Sequence, residues 1–152
     1  MKHRWAALLY VLALCAVTAR PIAAQGTQQS SRDAETGSEL RQNYPNPFNP
    51  ETRIVFRLGG FPGCIDPARQ YRVTLRIYNV LYQHVATPIL QGGAPGVAGG
   101  QPLENVFLTC GEYTAYWDGK VLGSDREAAS GIYSYRLEVN GRPLTRKMTL
   151  RK

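Results

Sequence analysis

The chain has few of the side chains on which catalysis depends. Only two of its 152 residues are histidines, and one of them, His3, lies in the N-terminal leader described below. The other, His84, falls on a predicted strand, with no serine or cysteine close in sequence to form a nucleophile and base arrangement. One histidine and two distant cysteines do not make a zinc site. We therefore expect neither an enzymatic activity nor a cofactor.

Long hydrophobic runs are also lacking, with one exception near the N-terminus. The apolar run WAALLYVLALCAV follows Lys2, His3 and Arg4 and precedes the small residues of PIAA. This order is typical of a secretory signal peptide, which we place at residues 1–24 with cleavage after Ala24. About 13 residues are fewer than the roughly 20 that span a bilayer, so a retained anchor is the weaker alternative.

The segment after the leader, residues 25–41, has one large apolar side chain, Leu40, and no aromatic ring. Such a segment cannot bury enough apolar surface to offset the entropy of ordering it, so we predict a disordered linker. Between the leader and Gln42 there is no room for an enzyme or a binding domain.

The excess of positive charge is small once the leader is set aside. The chain then keeps about 15 basic residues against 11 acidic ones, a net charge of about +4. The basic residues alternate with apolar ones along predicted strands, as on solvated strand faces. This pattern does not indicate a nucleic-acid partner, and a weak attraction to an anionic surface glycolipid fits it better.

What the chain does contain is apolar residues at a spacing of two. In TRIVFRL the side chains of Ile54, Phe56 and Leu58 share one face, and YRVTLRIYN repeats the pattern. EYTAYWDG and GIYSYRLEV are further strands, and LENVFLT is a short one. The segment QHVATPIL is interrupted or lies at an edge, because Pro88 cannot donate to a strand ladder.

The last two predicted strands form a hairpin. GIYSYRLEV and RPLTRKMTLRK flank Asn140-Gly141, a pair suited to a two-residue type I′ turn. Arg146 interrupts the apolar series of the second strand, so we expect its side chain to reach the rim. Six to seven short antiparallel strands in about 110 residues predict an all-β fold, a β-sandwich, with a small β-barrel as the alternative.

Two cysteines remain outside the leader, Cys64 and Cys110. An even number in an exported chain indicates a disulfide, although two separate buried thiols are the alternative. Each cysteine belongs to a long loop, and in an up-and-down strand order these loops emerge at the same end of the sandwich. We therefore favour a bridge between Cys64 and Cys110.

The stretch QNYPNPFNPETRIVFRL crowds three prolines and three asparagines ahead of the first long strand. Pro45, Pro47 and Pro50 fix φ and bias the residues before them toward extended conformations. We expect Phe48 to anchor on the edge of the core, and the side chains of Asn46 and Asn49 to satisfy backbone groups that the prolines leave unpaired. The alternative is a rigid linker without a role in recognition.

Four segments, taken in order, resemble those of a known family. QNYPNPFNPETRIVFRL resembles the opening of the type A C-terminal sorting domain of the type IX, or Por, secretion system. LRIYNVLYQHV is similar to the second motif of that domain, WDG followed by SGIYSYRL to the third, and TRKMTLRK to the last. The resemblance covers residues 42–152. The third motif alone is also similar to the immunoglobulin-like domain of flagellar hook-capping proteins, whereas the opening and last motifs separate the two families.

The resemblance implies an immunoglobulin-like, non-catalytic sorting module. Members of the family are exported across the inner membrane by a signal peptide and pass through the periplasm. An outer-membrane translocon recognises the terminal domain, and a sortase commonly removes it and attaches the cargo to surface lipopolysaccharide, so the implied location is the cell surface or the extracellular space. The residues on the motif positions are Pro45, Asn46, Pro47, Phe48, Asn49 and Pro50 in the opening motif, Tyr78 and Asn79 in the second, and Lys147, Met148 and Lys152 in the last.

The chain departs from the family pattern at two residues. Tyr82 stands where the family usually has glycine, so the turn either changes type or carries strain of about 1 kcal/mol. Arg151 occupies a position that is usually apolar.

The largest departure is the missing cargo, since a sorting domain normally follows a passenger. Three explanations stay open: the remnant of a longer secreted protein, a very small secreted protein, or a stand-alone immunoglobulin-like structural or adhesive module. In the last case Tyr78, Tyr116 or Tyr133 are candidate contacts.

Overall fold

The computed structural model describes residues 37–152, and the predicted signal peptide at residues 1–24 lies outside them. Within the described residues every regular element is a strand. The strands in chain order are β1 Glu39–Leu40, β2 Thr52–Leu58, β3 Tyr71–Tyr78, β4 His84–Ala86, β5 Ile89–Gln91, β6 Val106–Leu108, β7 Gly111–Trp117, β8 Gly131–Val139 and β9 Arg142–Leu150. The sequence predicted six to seven strands. The count differs because β1 is too short to show an apolar period and because QHVATPIL contributes two strands.

The strands form two antiparallel sheets. The first has the order β1-β2-β7-β5, and β2 and β7 pair along their whole length in its centre. The second has the order β4-β3-β8-β9, with β6 paired to β3 as well. The long hairpin of β8 and β9 pairs from Gly131 opposite Leu150 to Val139 opposite Arg142.

One hydrophobic core takes side chains from both sheets. The predicted inner face of β2, Ile54, Phe56 and Leu58, is completely buried, and so are Leu75 and Leu137 of the other sheet. Each such side chain contributes about 1.5–3 kcal/mol by leaving water. The predicted alternation of buried and exposed residues is therefore confirmed, and two separate sheets are present rather than the closed barrel of the alternative.

The interruption predicted at Pro88 is confirmed, and it moves the chain from one sheet to the other. β4 ends at Ala86 in the second sheet, and β5 begins at Ile89 in the first. The carbonyl oxygen of Pro88 accepts a hydrogen bond from the amide of Leu103 at 2.9 Å. Proline thus lies between the two ladders, where its missing N–H costs no ladder bond.

The hairpin turn between β8 and β9 also follows the prediction. Asn140 and Gly141 have φ values of 52° and 81°, the positive values that a type I′ turn requires. Oδ1 of Asn140 accepts a hydrogen bond from the amide of Arg72 at 2.9 Å, which ties the turn to β3. Arg146 reaches the rim as expected, and its Nε donates to the carbonyl oxygen of Leu40 at 2.6 Å.

The predicted linker extended too far, because residues 37–41 belong to the fold. Leu40 is 5% exposed and lies in the core, and its backbone pairs with Phe56 of β2. A strand of two residues needs only one apolar side chain, so the composition of the whole segment concealed it. The rest of the predicted linker, residues 25–36, lies outside the described residues.

Cys64 and Cys110 form the predicted disulfide, with 5.8 Å between their Cα atoms. The strand order that brings them together is not the up-and-down order we expected. Because β2 pairs with β7, Leu58 at the end of β2 lies opposite Gly111, the residue after Cys110. The bond closes a separation of 46 residues, and on the chain-entropy model this stabilises the fold by about 4 kcal/mol. We name this end of the sandwich the disulfide end.

Candidate functional site

The four motif segments all reach the opposite end of the sandwich. Strands β3, β7 and β9 end there, and β2 and β8 begin there, because neighbouring strands run antiparallel. We name this the motif end and define it by residues 43–52, 78–84, 117–133 and 147–152. The disulfide of Cys64 and Cys110 is therefore remote from the other predicted site residues.

The opening motif is attached to the free edge of β9. The amide of Phe48 donates to the carbonyl oxygen of Thr149, and the amide of Arg151 donates to the carbonyl oxygen of Phe48, both at 3.0 Å. Oδ1 of Asn46 accepts a hydrogen bond from the amide of Thr149 at 3.0 Å. Asn46 therefore satisfies a backbone amide of β9, whereas Asn49 is exposed and makes no such bond within residues 37–152. The opening and last motifs are thus joined side by side by hydrogen bonds.

Phe48 anchors this segment in the core itself rather than at its edge. Its side chain is 1% exposed, and its ring centroid lies 5.5 Å from that of Trp117. Gly119 allows the close approach, because it has a φ of +80° and a Cβ at this position would lie 2.6 Å from the carbonyl oxygen of Pro50. Tryptophan and glycine of the WDG motif therefore hold the opening motif directly, and residues 45–50 are part of the fold rather than a linker.

Two side chains that the sequence analysis missed fix the path of this segment. Asn43 is 2% exposed, and its Nδ2 donates to the carbonyl oxygen of Pro45 at 2.9 Å and to Oγ1 of Thr52 at 3.0 Å. The hydroxyl of Tyr135 donates to the carbonyl oxygen of Arg41 at 2.7 Å and accepts from the amide of Asn43 at 3.0 Å. Burial raises the pKa of Tyr135 to about 12, so the hydroxyl keeps its proton at neutral pH. The available signal was a tyrosine within an apolar strand face, because a buried hydroxyl needs a partner.

The second motif forms the turn between β3 and β4. Oδ1 of Asn79 accepts hydrogen bonds from the amides of Leu81 and Gln83 at 3.0 and 2.9 Å. An asparagine at this position therefore organises the whole turn, as its side chain commonly does.

Tyr82 adopts the left-handed conformation, with a φ of 60°. Of the two expectations for this residue, the structure therefore shows the strained one, at a cost of about 1 kcal/mol. The ring of Tyr82 stacks on that of Tyr78 at a centroid distance of 4.6 Å, and its hydroxyl accepts a hydrogen bond from Nη1 of Arg136 at 2.7 Å. That hydrogen bond also raises the pKa of Arg136. These contacts offset part of the strain.

The three motif residues at the end of the chain have different environments. Met148 is 1% exposed and pairs across the hairpin with Tyr133, which is itself 8% exposed. The suggestion of Tyr133 as an exposed contact is therefore wrong, because the ring packs into the core. Lys147 and Lys152 are exposed, and Nζ of Lys152 lies 2.9 Å from Oε2 of Glu127.

A cleft of about 430 Å³ separates the second motif from the loop that follows β7. Buried or half-buried apolar side chains line it, including Val85, Val121 and Ala128, together with the polar side chains of Arg126 and Glu127. The volume lies within the range of ordinary ligand pockets, about 300–1,000 Å³. The cleft is therefore a concave feature of the motif end.

His84 is one of the residues that line the cleft, and it has the contacts of a structural histidine. Its Nε2 is 3.0 Å from the carbonyl oxygen of Ala86 and 3.1 Å from Oγ1 of Thr87. Across residues 37–152, no three His, Cys, Asp or Glu side chains come close enough together to ligate a metal. The same part of the chain contains no helix with the length and apolar character to cross a membrane.

Comparison with known proteins gives little to add to this geometry. No protein-family model matches the chain, and no curated protein matches it. Among solved structures it is similar to the Pseudomonas fluorescens alkylpurine DNA glycosylase AlkC bound to DNA containing an abasic site analog, at 15% sequence identity and a TM-score of 0.46. The similarity covers 82% of this chain and 34% of the glycosylase, so the chain spans about a third of that protein. A likeness of this degree supports no assignment of activity or ligand.

Proposed function

We propose that this chain is a non-catalytic sorting module with an immunoglobulin-like sandwich, read by an outer-membrane type IX translocon during export to the cell surface. The observation that carries the proposal is the meeting of the four motif segments at one end of the fold. Asn46 and Thr149 are 103 residues apart in sequence and are joined by a hydrogen bond. A receptor could therefore contact all four segments at once.

The difference in burial among the motif residues supports this proposal. Phe48 and Met148 are buried and maintain the fold, whereas Asn49, Lys147 and Lys152 are exposed. Exposed polar residues contribute little to stability, so their presence on motif positions is better explained by a partner that contacts them.

The module begins at the end of the sandwich opposite the motif end, so a segment that precedes it would lie away from the motif end. The carbonyl oxygen of Gly37 accepts a hydrogen bond from the amide of Gly60 at 2.7 Å, which places residue 37 at the disulfide end. From there the chain runs beside β2 to the opening motif, and the seven residues of β2 span roughly 20 Å. A passenger joined before residue 37 would thus leave the motif end free.

Export by a bacterium with a functional type IX system tests the proposal. The full chain with its leader is expressed with an epitope tag inserted after Ile65, which is 97% exposed at the disulfide end. Protease treatment of intact cells and immunoblotting of the medium together measure the exported fraction, because a sortase would release the tagged module. Both are compared between the competent strain and a strain lacking the translocon. We expect an exported fraction only in the competent strain. Equal location in both strains would contradict the proposal and favour the alternative, a stand-alone periplasmic or surface module of structural or adhesive function.

Substitutions at the terminal lysines then test whether the motif end is what the translocon reads. We expect the double variant Lys147→Ala/Lys152→Ala to fold but to remain in the periplasm, while Arg72→Ala, an exposed cation at the disulfide end, is exported normally. Deletion of residues 148–152 is a poorer test, because Met148 and Leu150 are core residues and the fold would fail first.

A further inference from the structure

Exposed apolar side chains are distributed unequally over the described residues. Eight large hydrophobic side chains are exposed, and six of them belong to the motif end. Those six are Tyr44, Val80, Leu81, Tyr82, Leu122 and Ile132, whereas Ile65 and Phe107 lie near the disulfide end. Single exposed apolar residues need no explanation, but their concentration in one region is typical of an interaction surface.

Several of these residues are neighbours in sequence of residues that line the cleft of the motif end. Val80, Leu81 and Tyr82 lie in the β3–β4 turn, whose flanking residues line one side of the cleft. Leu122 lies on the other side, and its amide donates to the carbonyl oxygen of Val85 at 2.7 Å. Exposed apolar residues therefore adjoin the lining residues of both segments in sequence, and apolar groups lie inside the cleft.

Both walls of the cleft are ordered by hydrogen bonds before any partner arrives. The asparagine of the second motif organises the β3–β4 turn, as described above. In the opposite wall the amide of Val121 donates to the carbonyl oxygen of Arg126 at 2.9 Å, and the amide of Ala128 donates to that of Gly119 at 2.8 Å. A site that is already formed loses less entropy when a partner binds.

Two of the side chains that line the cleft are charged, Arg126 and Glu127. Glu127 is paired with Lys152, as described above, so these two charges largely compensate each other. Arg126 is exposed and lines the cleft, and within residues 37–152 no carboxylate forms an ion pair with it. Electrostatic complementarity therefore favours an acidic group on the partner.

We propose that this cleft is the docking site for a partner protein and takes one large apolar side chain, aromatic or similar in size to leucine, from a segment that also carries a carboxylate. The cellular role of the site rests on the proposed sorting function, in which the partner would be a component of the export machinery. The binding chemistry itself depends only on the apolar lining, the adjoining apolar residues and Arg126.

A small-molecule ligand tests the binding chemistry of the cleft on the purified protein, without export. N-acetyl-phenylalanine combines an aromatic side chain with a carboxylate, and we expect it to bind the folded chain in the millimolar range. Amide shifts in a nitrogen-15 correlation spectrum should concentrate in residues 79–85 and 121–133. Replacing the carboxylate by a methyl amide, or Arg126 by Gln, should weaken binding about tenfold. No binding, or shifts spread equally over both ends, would overturn the proposal.

A cleft-filling variant with a matched control tests the site in the cell. Ala129 is exposed and lines the cleft, so Ala129→Trp fills it without disturbing the core. Ile65→Trp adds the same side chain at the disulfide end. We expect Ala129→Trp to abolish probe binding and to lower the exported fraction at least tenfold, with a melting temperature close to that of the unmodified chain, and Ile65→Trp to change neither.

The outcomes distinguish this inference from the proposed function. If the unmodified chain is exported and Ala129→Trp is exported equally well, the docking site is wrong and the sorting function stands. If the unmodified chain is not exported by the translocon but the probe binds at the cleft, the sorting function is wrong and the docking site stands. If phosphatidylglycerol vesicles shift the same amides and the probe does not, the surface binds lipid and the protein-docking proposal is overturned.

Discussion

At the disulfide end a covalent bond between Cys64 and Cys110 secures the loop that leaves β2, and a tight turn at Asn140 is hydrogen-bonded to β3. At the motif end the opening segment is held without any covalent link, by backbone hydrogen bonds to β9, by the ring of Phe48 and by the hydroxyl of Tyr135. Most of the exposed apolar side chains and the cleft also lie at the motif end.

Under the proposed function, the difference between the two ends separates the covalent bond that stabilises the fold from the surface that a partner would contact. The disulfide contributes its stabilisation where the chain enters the sandwich. The motif end is held by the buried ring of Phe48, and it also exposes residues such as Leu81 and Leu122 and has a concave surface. Variants at each end test this division.

The largest effect is expected from loss of the noncovalent anchor of the motif end. Phe48→Ala removes a completely buried ring and should lower the free energy of unfolding by about 3–5 kcal/mol. Phe107→Ala is the matched control, because this ring is 55% exposed near the disulfide end, and it should cost less than about 0.5 kcal/mol. Urea denaturation monitored by fluorescence measures both. Similar losses of unfolding free energy in the two variants would contradict the claim that the opening motif belongs to the core.

Loss of the disulfide should lower stability slightly less, and the accompanying structural change should be confined to the disulfide end. We expect the double variant Cys64→Ser/Cys110→Ser to lose up to about 4 kcal/mol of unfolding free energy, because its denatured chain regains loop entropy. Amide shift changes in the folded state should remain confined to residues 57–71 and 108–113. Changes that extend into residues 45–50 or 147–152 would show that the two ends are coupled rather than independent.

The close approach of the WDG glycine to the opening motif predicts an intermediate effect. Gly119→Ala should cost about 2–3 kcal/mol, because it combines an unfavourable positive φ with a contact to the backbone of Pro50. Gly123 has a similar φ of +71° with open space around it, so Gly123→Ala should cost only about 1 kcal/mol. Thermal denaturation of the pair isolates the contact with Pro50. Equal losses would mean that the contact relaxes without cost.

The smallest effect is expected from the hydroxyl that holds the opening segment. Tyr135→Phe should cost about 1–2 kcal/mol, because the amide of Asn43 and the carbonyl of Arg41 lose their partner. The pKa of Tyr135 is raised to about 12 in the fold, above the ordinary value of 10.0. Its contribution is therefore complete below pH 10 and is lost as the pH rises toward 12. Stability measured from pH 9 to 12 should fall more steeply in the unmodified chain than in the variant, and parallel curves would contradict the assignment.

The strands could be predicted where the sequence has a local period. Consecutive residues determine the apolar alternation of β2, β3, β8 and β9, the Asn140-Gly141 turn and the break at Pro88. β1 escaped prediction because two residues show no period. The pairing of β2 with β7 escaped it as well, because the register between distant strands leaves no local pattern.

The candidate site was predictable only in part, and for the same reason. Phe48 stood out as one aromatic residue between prolines, and the two cysteines indicated their bridge. Asn43 did not stand out, because its partners Thr52 and Tyr135 are 9 and 92 residues away. The cleft lies between two loops, and loops carry no periodic signal from which their mutual position could be inferred.

Amide hydrogen exchange of the opening segment tests the central claim most directly, that residues 45–50 belong to the folded sandwich rather than forming a tether. The amides of Phe48 and Arg151 take part in the hydrogen bonds that join this segment to β9. We predict that both exchange at least about a thousandfold more slowly than in an unstructured chain. Exchange within about tenfold of the unstructured rate, while the core amide of Leu75 stays protected, would contradict the account.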